Sequence, residues 1–289
     1  MNRKKIYPLY LGAIPALIFI IFFIVPSTVG YAYAFTNWSA ARTTGLKFVG
    51  LSNIVEVIRS SKVPVAFANT LIYAGAKTIF VTVLGFVFAY ILNREIKSRT
   101  ALRTIYFIPS IFSCLVVGLI FSAVFQTRHG VLNEILAVFG IDRIDWLGSR
   151  GTAVFSIAVA EIWRNVGYAI IITLAGMQSV SSDYIEAGKL DGASEWQLFR
   201  HITLPVIMPT VNVNILFSLI YGLKMFDLIY VMTGGGPGNA TESFGTLMMN
   251  EMSAGRYAQS VAVNLVFTVL LVVISFVYQK FSSRWETVE

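Results

Sequence analysis

The sequence predicts an all-α polytopic membrane protein with six transmembrane helices, and three observations carry that reading. Charged residues make up 13% and hydrophobic residues 56% of the 289, with a mean hydropathy of +0.72. A soluble domain carries about 25% charged residues. Six apolar blocks are each near or above the ~20 residues that a helix needs to cross a bilayer. Their continuous length, rather than any periodicity, excludes strands. The third observation is charge. Segments 1–8, 93–103, 176–203 and 280–289 hold eleven Lys/Arg in 57 residues, against eight in the 84 residues of segments 36–65, 126–152 and 234–260. Basic residues accumulate on the cytoplasmic side, so both termini and the 176–203 segment are expected there.

The first block follows a basic Met1–Lys5 and runs from Leu9 to Phe35 without a charge. A secretory signal has an apolar core of only about 7–15 residues. Ala32-Tyr33-Ala34 mimics a cleavage site, but the length favours an uncleaved first helix. The remaining spans are expected at 66–92, 104–125, 153–175, 204–233 and 261–279. Between the second and third, Arg94, Lys97, Arg99 and Arg103 read as a topology determinant beside anionic headgroups. The formal charge of +7 therefore follows from topology and calls for no nucleic acid. One membrane domain over residues 1–289 is the default. The single cysteine, Cys114, lies in an apolar run and supports neither a disulfide framework nor a metal site.

The most informative stretch is Tyr184–Pro205, polar and set between spans four and five. Ser182 or Asp183 is a candidate N-cap, and Glu186 suits the first turn of a helix. Gly188 and Gly192 are four apart and would share a helical face, inviting close approach by another surface; Gly192 could equally end the helix. A second short helix is expected over Ala193–His201, stopped by Leu204-Pro205, where span five begins. On physics alone the stretch is either an ordinary amphipathic loop or a docking element.

Glu186-Ala187-Gly188, three residues, Gly192, nine residues, then Ile202-Thr203-Leu204-Pro205 resembles the EAA loop of binding-protein-dependent ABC importers, E-A-A-x3-G-x9-I-x-L-P. Only Gly188 departs, from the third alanine. The resemblance implies a cytoplasmic coupling helix between helices four and five, with Glu186, Ala187, Gly188, Asp191, Gly192, Ile202, Leu204 and Pro205 engaging a separate ATPase. Two further stretches point the same way. Phe48-Val49-Gly50-Leu51-Ser52-Asn53 resembles a segment that follows the first span of sugar-type permeases. Phe226–Thr241, with Gly234–Gly236 and Pro237, resembles the Y-V-M-T-x-G-G-P stretch of maltose- and glycerol-phosphate-type permeases, which that family holds outside for a solute-binding protein. No G-x-x-x-x-G-K-[ST] is present, so the glycines do not make a phosphate loop.

Ionisable residues at membrane depth are functional candidates by default. Lys77, Glu161, Arg164, Lys224 and Asp227 are such residues. Glu161, Asn165 and Tyr168 form one polar stripe on span four; Asn214, Ser218 and Tyr221 form another on span five, and span six offers Asn264. Amides, carboxylates and aromatic rings of this kind suit a sugar path. The structural alternative is that Glu161 pairs with Arg164, and Lys224 with Asp227, to hold helices together. His129 and His201 belong to no metal or catalytic motif, and no catalytic constellation is nominated.

The expected function is a non-catalytic permease subunit of an ATP-driven carbohydrate importer in the bacterial cytoplasmic (inner) membrane. The resemblance implies a second homologous permease, an ATPase dimer that carries ATP and Mg, and an extracytoplasmic solute-binding protein, with membrane lipids around them. This chain is expected to bind no cofactor of its own. An importer for a phosphate ester or amino acid, and an ATPase-independent channel or secondary transporter, remain alternatives.

Overall fold

A computed structural model describes residues 10–94 and 97–282; the basic Met1–Lys5, Leu9 and Arg284 lie outside the described residues. In chain order the helices are α1 (Leu11–Phe35), α2 (Ser52–Arg59), α3 (Lys62–Asn93), α4 (Arg99–Ile111), α5 (Cys114–Val124) and α6 (Val131–Val138). They continue with α7 (Arg150–Gln178), α8 (Ser182–Leu190), α9 (Glu195–Leu223), α10 (Asp227–Met232), α11 (Phe244–Ser253) and α12 (Tyr257–Ser282). Extended pairing among the described residues is limited to the isolated bridges Thr36–Phe48 and Ser39–Arg42.

Five of these helices are long and apolar enough to cross a membrane, and the α4–α5 pair makes a sixth if its two halves are one span. That pair differs from the continuous helix expected over 104–125. The chain bends by 99° at Phe112-Ser113, both extended. Pro109 lies three residues earlier, and Ser113 restarts the helix by accepting from the Val116 amide at 3.3 Å. Broken backbone at membrane depth needs its freed polar groups satisfied by protein. Here Arg164 Nε donates to the Phe112 carbonyl at 3.2 Å. Span five also differs. Its helix ends at Leu223 rather than near 233, and α10 is a separate short helix.

The described chain divides into two compact units, residues 1–60 with 247–268, and residues 61–246 with 269–289. In the first unit, Asn53 Nδ2 donates to the carbonyls of Ala34 and Thr36 at 2.7 and 2.8 Å, capping the end of α1. That contact explains the Asn at the end of the Phe48–Asn53 stretch. Trp38 stacks between Tyr33 and Tyr257, with ring centroids 4.7 and 4.9 Å away. From Leu11 to Pro26 the side chains of α1 are exposed.

The second unit is built on α7, half of whose apolar window is buried, the highest share of any span. One core joins Tyr73 of α3, Val117 of α5, Ile157 of α7 and Leu228 and Ile229 of α10. Another joins Ala89 and Leu92 of α3, Ile170 and Leu174 of α7 and Ile207 of α9. Polar bonds tie the same helices: Asn214 Nδ2 of α9 donates to Thr173 Oγ1 at 2.8 Å and to the Ala169 carbonyl at 3.3 Å.

The loop after α10 is clipped onto this unit. Asn69 Nδ2 donates to the carbonyls of Ala240 and Glu242, and Arg150 Nη2 to that of Gly238. Thr241 Oγ1 closes the loop internally against Thr233 Oγ1 and the Gly236 carbonyl. Thr241, Glu242 and Ser243 are buried, while Gly234, Gly238 and Asn239 stay exposed at the tip.

Candidate functional site: a polar membrane cavity and an exposed helical element

A cavity of about 630 Å³ opens among α3, α4, α5, α7, α9 and the α9–α10 turn. Six of the seven residues predicted for the path line it: Glu161, Asn165, Tyr168, Asn214, Ser218 and Tyr221. Asn264 does not; it is half-buried on α12 in the other unit. The two stripes meet because α7 and α9 are bound side by side through Asn214 and Thr173.

The six residues play different parts. Glu161 is buried and committed: Lys77 Nζ lies 2.6 Å from one carboxylate oxygen, and Arg164 Nη1 lies 3.8 Å from the other. The expected Glu161–Arg164 pair therefore exists, but the tighter partner is Lys77 of α3. Lys77 also lies 5.7 Å above the Tyr221 ring. Asn165 Nδ2 returns to the Glu161 carbonyl at 2.7 Å, and Asn214 is spent on α7. Tyr168, Phe217 and Tyr221 instead present exposed rings. The site is thus an ionic floor, in which Lys77 and Arg164 share one carboxylate, beneath aromatic walls, an arrangement that suits a solute with both hydroxyl and apolar faces.

Lys224 and Asp227 also line the cavity but form no ion pair with each other within 4.0 Å. The helix expected to run through them is interrupted: Lys224 caps α9 and Asp227 opens α10. Phe107, Ser110 and Cys114 complete the wall from the broken third span. They were not anticipated, because a continuous helix gives no reason for its bend to face a cavity. Pro109, Ser110 and Ser113 were the available signal.

The second candidate element is the α8–α9 corner. Ser181, rather than Ser182 or Asp183, is the N-cap of α8, and its side chain accepts from the Asp183 amide. The helix ends at Leu190, with Asp191 as C-cap and Gly192 following at φ +78°. Gly192 N–H donates to the Lys189 carbonyl and Ala193 N–H to that of Gly188, the paired bonds of a Schellman cap. Of the two readings offered by the sequence, Gly192 takes the second and ends the helix, so the two glycines do not share a helical face: one packs, the other turns. A β-carbon at Gly188 would stand 2.5 Å from Leu198 Cδ2 and 3.1 Å from Ile202 Cδ1. An alanine there would press the ends of the Leu198 and Ile202 side chains, which would have to shift to admit it.

The second short helix does not stop at Leu204-Pro205. Ser194 and Gln197 form a capping box that starts α9, which then runs unbroken to Leu223. Over Phe199–Thr203 it widens to a π turn, with Leu204 N–H bonded to the Phe199 carbonyl. Pro205 sits at the first turn of the α-helical part that follows, where its missing N–H is tolerated. Ile202 and Leu204 are half-buried, whereas Glu186, Ala187, Asp191 and Pro205 are exposed. So are three large apolar side chains: Tyr184 at 63%, Leu190 at 89% and Trp196 at 64% exposure. Nearby, Tyr90 hydrogen-bonds the Arg94 guanidinium and, with Glu195, keeps it above its ordinary pKa.

Residues 81–287 match the family described as "binding-protein-dependent transport system inner membrane component". The chain belongs to this family. It is a permease, the membrane-spanning and non-catalytic component of such a system. Among similar proteins is the trehalose/maltose transport system permease protein MalF of Thermococcus litoralis, 32% identical over 94% of this chain and 92% of that one. Another is the multiple sugar-binding transport system permease protein MsmF of Streptococcus mutans, 32% identical over 99% and 100%. In structure, the permease fold matches a chain of a bacterial ABC transporter involved in import of the acidic polysaccharide alginate. The TM-score is 0.84 at 24% identity, covering 96% of this chain and 95% of that chain.

Proposed function

We propose that this permease is one of two membrane subunits of an ATP-driven carbohydrate importer, forming half of the translocation pathway. The sugar permeases similar along its whole length support the solute class, as do the aromatic walls of the cavity. The observation that carries the mechanism is the continuity of α9. One end of this helix holds Trp196, beside the exposed Leu190 and Tyr184; the other holds Asn214, Ser218 and Tyr221 in the cavity wall. At 1.5 Å per residue such a helix is a lever of roughly 40 Å.

In this reading the exposed α8–α9 corner docks in the cytoplasm on an ATPase dimer, which alone binds ATP and Mg. Glu186 to Gly192 supply the contact, and Ile202 to Pro205 pass the movement into the span. Closure of the ATPases tilts α9 and biases the cavity between two openings, an equilibrium that a loaded extracytoplasmic binding protein also biases. Both termini lie in the cytoplasm. The tip of the loop at Gly234–Asn239 faces the binding protein, and a second, homologous permease completes the pathway.

The test is reconstitution in proteoliposomes with the co-encoded permease, ATPase and binding protein, recording ATP hydrolysis against a panel of sugars. Stimulation that needs both the binding protein and a particular sugar is expected. Hydrolysis that responds instead to a phosphate ester or an amino acid would overturn the carbohydrate assignment. Solute transport without any ATPase subunit would overturn the importer mechanism.

A further inference from the structure

Away from the cavity and the α8–α9 corner, two arginines occupy an unusual position. Arg99 and Arg103 stand one turn apart on α4, and both reach Gln178, the last residue of α7. With its amide oxygen turned toward them, Gln178 accepts from Arg103 Nη2 at 2.9 Å and from Arg99 Nη2. The orientation of such an amide is assigned from its neighbours, and both neighbours here are donors. Two guanidiniums therefore converge on one neutral oxygen. Among the described residues neither has a carboxylate within ion-pair distance. In sequence, Asn93–Arg103 carries Arg94, Lys97, Arg99 and Arg103 against the single acid Glu95.

Among the described residues the Nε atoms of Arg99 and Arg103 have no partner and are shielded from solvent, while the two side chains are half-buried. A buried N–H left unmade is costly, and more so on a charged group. Arg99 is also the first residue of α4, where the positive end of the helix dipole adds to the repulsion. An oxyanion held by the Nη atoms would offset both the repulsion between the two cations and the dipole. Guanidinium forks are shaped to hold one through two parallel bonds, which a lysine pair cannot do. The anion available where two membrane helices end is the phosphodiester of the headgroup layer.

We propose that Arg99, Arg103 and Gln178 form a site for the phosphate of an anionic phospholipid headgroup, lodged where α4 and α7 leave the membrane. The proposal rests on the 93–103 loop bordering the headgroups and not on the transported solute. Filling the site would fix the start of α4 against α7, and so the first half of the broken span that walls the cavity.

The experiment is native mass spectrometry of the assembled transporter released from a neutral detergent, with phosphatidylglycerol or phosphatidylcholine added. Wild type is compared with Arg99→Gln/Arg103→Gln, with Arg99→Lys/Arg103→Lys, and with Arg94→Gln/Lys97→Gln, which removes the same charge from the same loop. Thermal denaturation of each checks folding. Retention of phosphatidylglycerol should fall about 25-fold in the Gln pair at residues 99 and 103, roughly fivefold per guanidinium. The lysine pair, which keeps the charge but loses the fork, should fall less, and the Arg94/Lys97 pair should stay within about twofold of wild type. An equal drop in the Arg94/Lys97 pair would overturn the proposal in favour of a diffuse field. Retention unchanged at Arg99→Gln/Arg103→Gln would overturn it outright. Displacement of the lipid by millimolar inorganic phosphate would reassign the site to a free anion. Loss of the ATPase with lipid retention intact would make the pair a protein contact instead.

Discussion

Replacing Glu161 by Gln removes the carboxylate that two cations share, and the structure fixes the order of the consequences. Lys77 lies 2.6 Å from Glu161, with side-chain exposures of 6% and 7%; Arg164 lies 3.8 Å away and is 22% exposed. Removing one partner of a buried pair costs about 3–5 kcal/mol, because the other charge is left buried and unpaired. After Glu161→Gln that stranded charge is Lys77, whose remaining support is the Tyr221 ring at 5.7 Å. After Lys77→Met the carboxylate still has Arg164, and a contact near 4 Å is worth about 4 kcal/mol of attraction at an effective dielectric of 20. Glu161→Gln should therefore destabilise by about 3–4 kcal/mol and Lys77→Met by about 1–2 kcal/mol. The double variant Lys77→Met/Glu161→Gln should be more stable than Glu161→Gln alone, a coupling of about 2 kcal/mol. The assay is equilibrium unfolding in mixed micelles by SDS titration, followed through the fluorescence of Trp163 on α7. If Lys77→Met proves as costly as Glu161→Gln, or if the double variant is the sum of the singles, the shared-carboxylate account is wrong.

Three further outcomes follow from single contacts. Gly192→Val forces a β-branched side chain into φ +78°, a conformation costing about 1–2 kcal/mol for an L residue. Transport should be lost while the membrane fraction holds normal amounts of protein, and uptake equal to wild type would sink the coupling role. Gly188→Ala gains about 1 kcal/mol of helix propensity, but its β-carbon presses Leu198 and Ile202, where overpacking costs about 1–3 kcal/mol. Thermal denaturation should show Gly188→Ala stabilising a Leu198→Ala background but not the wild type, and a more stable single variant would refute the packing argument. Asn69→Ala strips two hydrogen bonds from the 240–242 carbonyls, a loss of about 1–3 kcal/mol. Limited proteolysis should cut faster at the 234–239 tip, and identical digestion would show that the clip does not hold the loop.

Helix number and the two polar stripes were legible because each depends on residues of one helix. Length alone marks a span, and the spacing 161, 165, 168 puts three side chains on one face whatever lies opposite. Lys77 could not be joined to Glu161 in the same way, because that bond crosses 84 residues of chain and depends on how α3 meets α7. The two failures at prolines have a common cause. In sequence Leu204-Pro205 reads as a stop and the span holding Pro109 as continuous, yet the helix passes the first and breaks three residues after the second. In both places tertiary structure decides: a π turn absorbs Pro205, while the Arg164 side chain pays for an open carbonyl at Phe112. Gly192 was legible as a cap, because positive φ is a property of one residue. For Gly188 a close approach was legible, but not which surface makes it, since that is a neighbouring helix. These departures fall on the two elements that the proposed mechanism uses, the long helix α9 and the bend beside the cavity. If α9 tilts as a body, the wall opposite it has to give; the break at Phe112-Ser113 interrupts the helix ladder there, and replacing Arg164, whose Nε donates to the Phe112 carbonyl, tests whether that is the point that yields.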